Sequence, residues 1–192
     1  MIRSLIALLA LAWATATLAD EPFVVPEGYT LQILEPTGGK IARPNGWFYD
    51  ERNMPTGWLW TISREDPAKG QYLVGEHIQV LAKMEELANM TAEAFITNFA
   101  AQAKAAAAKV VSECAPEKQG MFVRRCLETE EVLPFQGGSK RFHIRYSLFW
   151  MKDLAIVTTF GAPVEEWAGV QQIAEVMAKF ELIDMSRFVK QP

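Results

Sequence analysis

The chain has 192 residues, of which 50% are hydrophobic and 22% charged, and its formal net charge is −4. This is a globular composition of ordinary single-domain length, which excludes the disordered and low-complexity classes. The mild negative charge argues against a general nucleic-acid binder, whose affinity needs clustered positive charge.

The hydrophobicity is concentrated at the start, where 15 of the first 19 residues are apolar. Met1-Ile2-Arg3 gives a short positive start, and Ser4 to Leu18 is a Leu/Ala-rich run. Ala14-Thr15-Ala16 and Thr17-Leu18-Ala19 both place small residues at −3 and −1 of a signal-peptidase site. Residues 1–19 therefore read as a cleaved export signal of bacterial type, shorter than the ~20 apolar residues that span a bilayer. The leader has no terminal cysteine for lipidation and no Arg-Arg pair, which points to general secretion. The expected location is the periplasm or the outside of the cell, with 173 mature residues at net charge −5.

Residues 20–29, with Pro22, Pro26 and Gly28, read as an extended arm, and 30–192 as one domain. Thr30 to Leu34 alternates weakly as a first strand. Pro44-Asn45-Gly46-Trp47 is a turn inside Ile41 to Tyr49, and Met54-Pro55-Thr56-Gly57 turns into Trp58 to Ile62. Pro67 to Gly70 marks a loop, and His77 to Met84 a further strand. The period then changes. Thr91 caps a helix predicted from Ala92 to about Val110, with Phe95, Phe99, Ala103, Ala106 and Val110 on one stripe. Strands at 121–133 and 140–151 flank Gly137-Gly138, a hairpin turn whose register puts Leu127 opposite Leu148 and Glu130 opposite Arg145. Leu154 to Phe160 is another strand. Pro163 opens a second helix striped by Trp167, Val170, Ile173, Val176, Met177 and Phe180.

Cys114 and Cys126 are the only cysteines, and in an oxidising compartment they read as a structural disulfide. The eleven-residue spacing lacks redox or zinc character. With Cys114 at the end of the first helix, the bridge would lay that helix on the mixed face of the hairpin. The second helix would then cover the Tyr146/Trp150 face. The expected fold is α+β: a central antiparallel sheet sandwiched between two long helices.

This order of elements resembles the PsbP-like family, which shares its fold with the Ran-binding factor Mog. Pro44-Asn45-Gly46-Trp47 is similar to the family's early Pro-x-Gly-Trp strand start. Thr91 to Val110 matches its middle helix, and Leu154 to Phe160 with Ala162-Pro163 and the stripe to Phe180 matches its last strand and helix. The resemblance spans roughly residues 30–183 and implies binding or assembly work rather than turnover. It carries over no active-site residue and no metal ligand.

The residues themselves offer no catalytic pattern. His77 and His143 stand alone, with no second ligand at metal spacing, and no Gly-x-Ser-x-Gly elbow occurs. Neither a cofactor nor a metal is expected. Trp58 and Trp60 share one strand face and could line a groove. Arg124, Arg141 and Arg145 concentrate on the hairpin as a candidate partner surface. The leading reading is thus an exported, non-catalytic protein-binding or assembly domain with an exported or periplasmic protein as its partner. The alternatives are an exported hydrolase using His77 or His143, and a periplasmic immunity or inhibitor protein.

Overall fold

Alternation of apolar and polar residues dominates the chain from Tyr29 to Pro163, and it folds mostly as strands. The computed structural model describes residues 22–184 and 187, so the export signal read at residues 1–19 lies outside them. Residues 22–28 carry no regular structure before the first strand.

Among the described residues ten strands build two antiparallel sheets. The smaller contains β1 (Tyr29–Leu34), β2 (Gly38–Pro44) and β10 (Glu181–Ile183), in the order β1-β2-β10. The larger contains β3 (Phe48–Met54), β4 (Gly57–Ser63), β5 (Gly75–Ala82), β6 (Lys109–Gln119), β7 (Phe122–Phe135), β8 (Gly138–Met151) and β9 (Leu154–Pro163). Its order is β3-β4-β5-β9-β8-β7-β6. Three helices accompany them: α1 (Met84–Ala88), α2 (Ala92–Ala106) and α3 (Trp167–Met177). A 3-10 turn, Pro67–Lys69, lies between β4 and β5.

The expected sandwich between two long helices is therefore incorrect. β7 and β8 have 14 residues each, about 46 Å of extended chain, whereas the 15 residues of α2 span about 22 Å. Helices of that length cannot cover the sheet, and a second sheet supplies part of the cover instead. One core lies under α3 and the small sheet, and includes Leu34, Ile41, Trp60, Ile62, Ile78 and Met177. The other lies under α2, where Ala92, Ile96 and Ala100 meet Leu127, Tyr146 and Leu148.

The two helices also exchange the faces expected of them. Phe99 of α2 meets the Tyr146 ring edge-on at 5.6 Å, while Trp167 of α3 stacks on His143 at 3.8 Å. The cause is Cys114. It lies inside β6, not at a helix end, so its bond to Cys126 joins two neighbouring strands and ties down no helix. Thr91 caps α2 as expected, its Oγ accepting from the Ala94 amide at 3.1 Å. The helix stops at Ala106, however, and β-branched Val110 and Val111 continue as strand.

The β7–β8 hairpin turns at Gln136-Gly137, both at positive φ, rather than at Gly137-Gly138. This moves the register by two residues, so that Leu127 faces Tyr146 and Glu128 faces Arg145. A shift of two keeps every side chain on its expected face. Pro163 closes β9 instead of opening the helix, which begins at Trp167 behind Glu166.

Candidate functional site

α2 packs on β7, β8 and β9. Beside it the same face of the sheet, from β3 across to β9, forms the floor of a cavity of about 690 Å³. Cross-strand pairing sets three rows across that floor: Gly75 beside Gly161, His77 between Thr61 and Thr159, and Gln79 between Leu59 and Val157. Within that glycine row Gly161 opens the hollow, whereas a Cβ at Gly75 would meet the Ile62 carbonyl oxygen at 2.6 Å and the Tyr72 ring at 2.8 Å. A Cβ at Gly161 would meet nothing nearer than the Ile144 Cγ1, at 4.0 Å.

Leu73, Phe99, Leu133, Phe135, Phe142 and Ile144 supply apolar walls. One wall is the loop before β5, and the opposite wall is the tip of the β7–β8 hairpin. Gln71 joins them: its side-chain carbonyl accepts from the Gln136 amide at 3.1 Å, and its NH₂ donates to the Pro134 carbonyl at 3.5 Å. The loop is itself anchored, because the Glu65 carboxylate accepts from the Leu73 and Val74 amides at 2.9 and 3.2 Å. Arg64 in turn donates to both Glu65 and Glu166 at 2.7 Å.

Tyr72 stacks on His77, with ring centroids 5.5 Å apart. Burial first, and then the charge of Arg52, lowers the His77 pKa below its ordinary value, which keeps the imidazole neutral at pH 7. Arg52 stands at the rim with its Nε 3.0 Å from Asp50 Oδ2. Among the described lining residues Arg52 is the one cation, and none is a carboxylate.

The opposite face carries a charged row. Glu76, Phe160, Arg145 and Glu128 are successive cross-strand neighbours. Arg145 donates to Glu128 at 2.7 Å and lies 5.4 Å from the centre of the Trp167 ring. His143 Nε2 is 3.3 Å from the other Glu128 oxygen. Burial lowers the His143 pKa, against the opposing pull of Glu128. Glu76 is only 3% exposed, and its Oε2 has no hydrogen-bond partner among the described residues. Burial raises its pKa from 4.5 to about 8, against the lowering charge of Arg145.

The residues singled out in sequence divide between these places. Arg124, Arg141 and Arg145 do share the α3 face, but each meets a carboxylate: Glu117 at 3.4 Å, Glu130 at 2.6 Å and Glu128 respectively. Arg124 and Arg145 line a second cavity, of about 520 Å³, together with Cys126, Phe149 and Lys179. Trp60 is 1% exposed and donates its indole N–H to the Glu35 carbonyl at 2.8 Å, which takes it out of any groove. Trp58 is half-buried against the same core. His77 and His143 lie on opposite faces. Among the described residues no group of three or more His, Cys, Asp and Glu could hold a metal ion. No described helix is long and apolar enough to cross a membrane.

Sequence reasoning missed Tyr72, Gln71 and the threonines, whose roles depend on pairing across strands. Gly161 left a signal, since a glycine inside an apolar strand often marks a missing side chain.

β6 forms one end of the large sheet, and every residue in it except Cys114 is exposed. Val110 and Val111 present apolar side chains there, and Val132 and Leu133 extend that character along β7. The other end, β3, exposes the charged residues Glu51 and Arg52.

No family model matches the chain, and no curated protein does. Among solved structures it is similar to the cyanobacterial PsbP (CyanoP) of Synechocystis sp. PCC 6803, with a TM-score of 0.50 at 14% identity. That match covers 86% of this chain and 98% of CyanoP. The fold is PsbP-like. Looser similarity extends to a protein from Bacteroides thetaiotaomicron, at TM-score 0.45 and 14% identity, covering 86% of this chain and 52% of that one. A protein of unknown function from Pseudomonas aeruginosa reaches 0.38 at 12% identity, covering 85% and 98%. In the PsbP-like fold of this chain, Pro44 closes β2 and Trp47 leads into β3, which places the early motif between the two sheets.

Proposed function

We propose that this chain is an exported, non-catalytic accessory or assembly-type domain that binds a protein partner along the β6 edge. The observation that carries the reading is β6 itself, a long solvent-exposed edge strand with apolar residues at 110 and 111. Unpaired backbone groups on such an edge are a template for an added strand, and native proteins usually blunt edges that have no use. β6 has register irregularities between Val110 and Ser112 and between Cys114 and Glu117; the second, with Pro116, blunts the far half, and Lys109 to Glu113, which carries the first, is the docking segment. The disulfide supports export, because it suits an oxidising compartment, and it fixes the docking strand to its neighbour.

Affinity purification of the full chain from its native compartment should yield a stoichiometric protein. Val110→Lys with Val111→Lys should lose it while the fold, read by circular dichroism, stays intact. If the folded double variant retains the partner, or if the protein instead turns over a substrate, the reading fails. The hydrolase alternative now rests on His77, a neutral imidazole between two threonine hydroxyls in a cavity. An activity that survives His77→Ala would remove it.

A further inference from the structure

The cavity on the α2 face plays no part in an edge-strand interaction, and its construction points to a ligand of its own. Its volume of about 690 Å³ falls within the roughly 300–1,000 Å³ typical of small-molecule sites. It is also built rather than incidental. Gln71 fastens one wall to the other, Glu65 holds the loop that carries Tyr72 and Leu73, and Gly161 keeps the floor open where a side chain would otherwise stand.

The chemistry of the lining selects the occupant. Phenylalanine, leucine and isoleucine side chains of the lining suit an apolar body. Its polar side chains include Arg52, His77, Thr61, Gln79 and Thr159. With Arg52 the one charge among the described lining residues, the cavity favours an anion over a cation. The carboxylate nearest that charge, Asp50, is bonded to Arg52 and stands outside the lining. An arginine has five donors in a rigid fork, so one bond to Asp50 leaves donors for a second carboxylate.

We propose that this cavity binds a monocarboxylic acid with an apolar body. The acyl portion lies over Gly161 against Phe99, Phe135 and Phe142, and the carboxylate meets Arg52 and the imidazole of His77. This inference does not depend on the β6 edge.

The test is calorimetric titration of the full chain with dodecanoate below its micelle-forming concentration. Dodecanol and dodecyltrimethylammonium serve as neutral and cationic counterparts. Dodecanoate should bind in a one-to-one ratio and more tightly than either. Arg52→Gln, at an exposed edge position, should weaken dodecanoate about tenfold while leaving dodecanol nearly unchanged, the difference expected for one charge-assisted bond. Gly161→Leu should abolish binding of both, because the new side chain projects into the hollow without meeting the backbone. If Gly161→Leu fails to fold, the Arg52→Gln comparison decides alone. The proposal is overturned if dodecanoate does not bind, if all three probes bind equally, if Arg52→Gln changes nothing, or if folded Gly161→Leu binds as well as the parent.

Discussion

Glu76 gives the fold an unusual pH dependence. Its carboxyl is buried under α3, and burial lifts its pKa from 4.5 to about 8. Between those values the folded chain holds a proton that the unfolded chain has released, so stability falls as pH rises. At about 1.4 kcal/mol per pH unit, the loss from pH 5 to pH 8 is about 4 kcal/mol. Glu76→Gln keeps the shape and removes the titration. Urea unfolding of both proteins from pH 5 to pH 9 should show the variant gaining on the parent steadily up to about pH 8 and then holding level. A fixed offset from the amide N–H groups does not affect that slope. His77 and His143, both held below their ordinary values, lower stability as pH falls, equally in the two proteins. A difference that stays flat from pH 5 to pH 8 would show that Glu76 ionises normally beside Arg145, and the argument from burial would be wrong.

Further outcomes follow from the same structure. Trp60→Ala, which empties a core site and orphans the Glu35 carbonyl, should cost about 3–5 kcal/mol in denaturant unfolding, and Trp58→Ala clearly less. Equal losses would place the two rings in similar surroundings. Replacing Cys114 and Cys126 with serine should lower stability by about 2–3 kcal/mol, the chain-entropy value for so short a loop. Because the bond joins edge strand to neighbour, hydrogen exchange should rise first in β6. Protection lost evenly over all strands would count against that.

The positions of several strands were legible because period-two alternation is local information. β4, β5, β7, β8 and β9 all fall where the apolar pattern puts them, and Thr91 caps its helix as its side chain dictates. Two kinds of information were not. The first is where a pattern of one type yields to another: Val110 fits both the helical stripe and the strand that takes it, and sheet pairing decides. The second is long-range pairing. Glu128, Glu130 and Glu131 form one acidic cluster in sequence. The pleat turns Glu131 towards Tyr146 and Thr129 in the α2 core, and sends the other two to the opposite face. The cavity was invisible for the same reason, since its floor joins residues from β4, β5 and β9 as far apart as Leu59 and Gly161.

The strand order has a bearing on how the molecule is assembled. β3 to β5 and β6 to β9 are each a run of hairpins between chain neighbours, and in the large sheet the two runs pair where β5 lies against β9. Hairpins close quickly, and a pairing between residues 75–82 and 154–161 must wait for both partners. Gly75, His77 and Gln79 come from one side of that seam, and Val157, Thr159 and Gly161 from the other. The hollow therefore does not exist in either half alone. A molecule seated there would touch both halves across that seam.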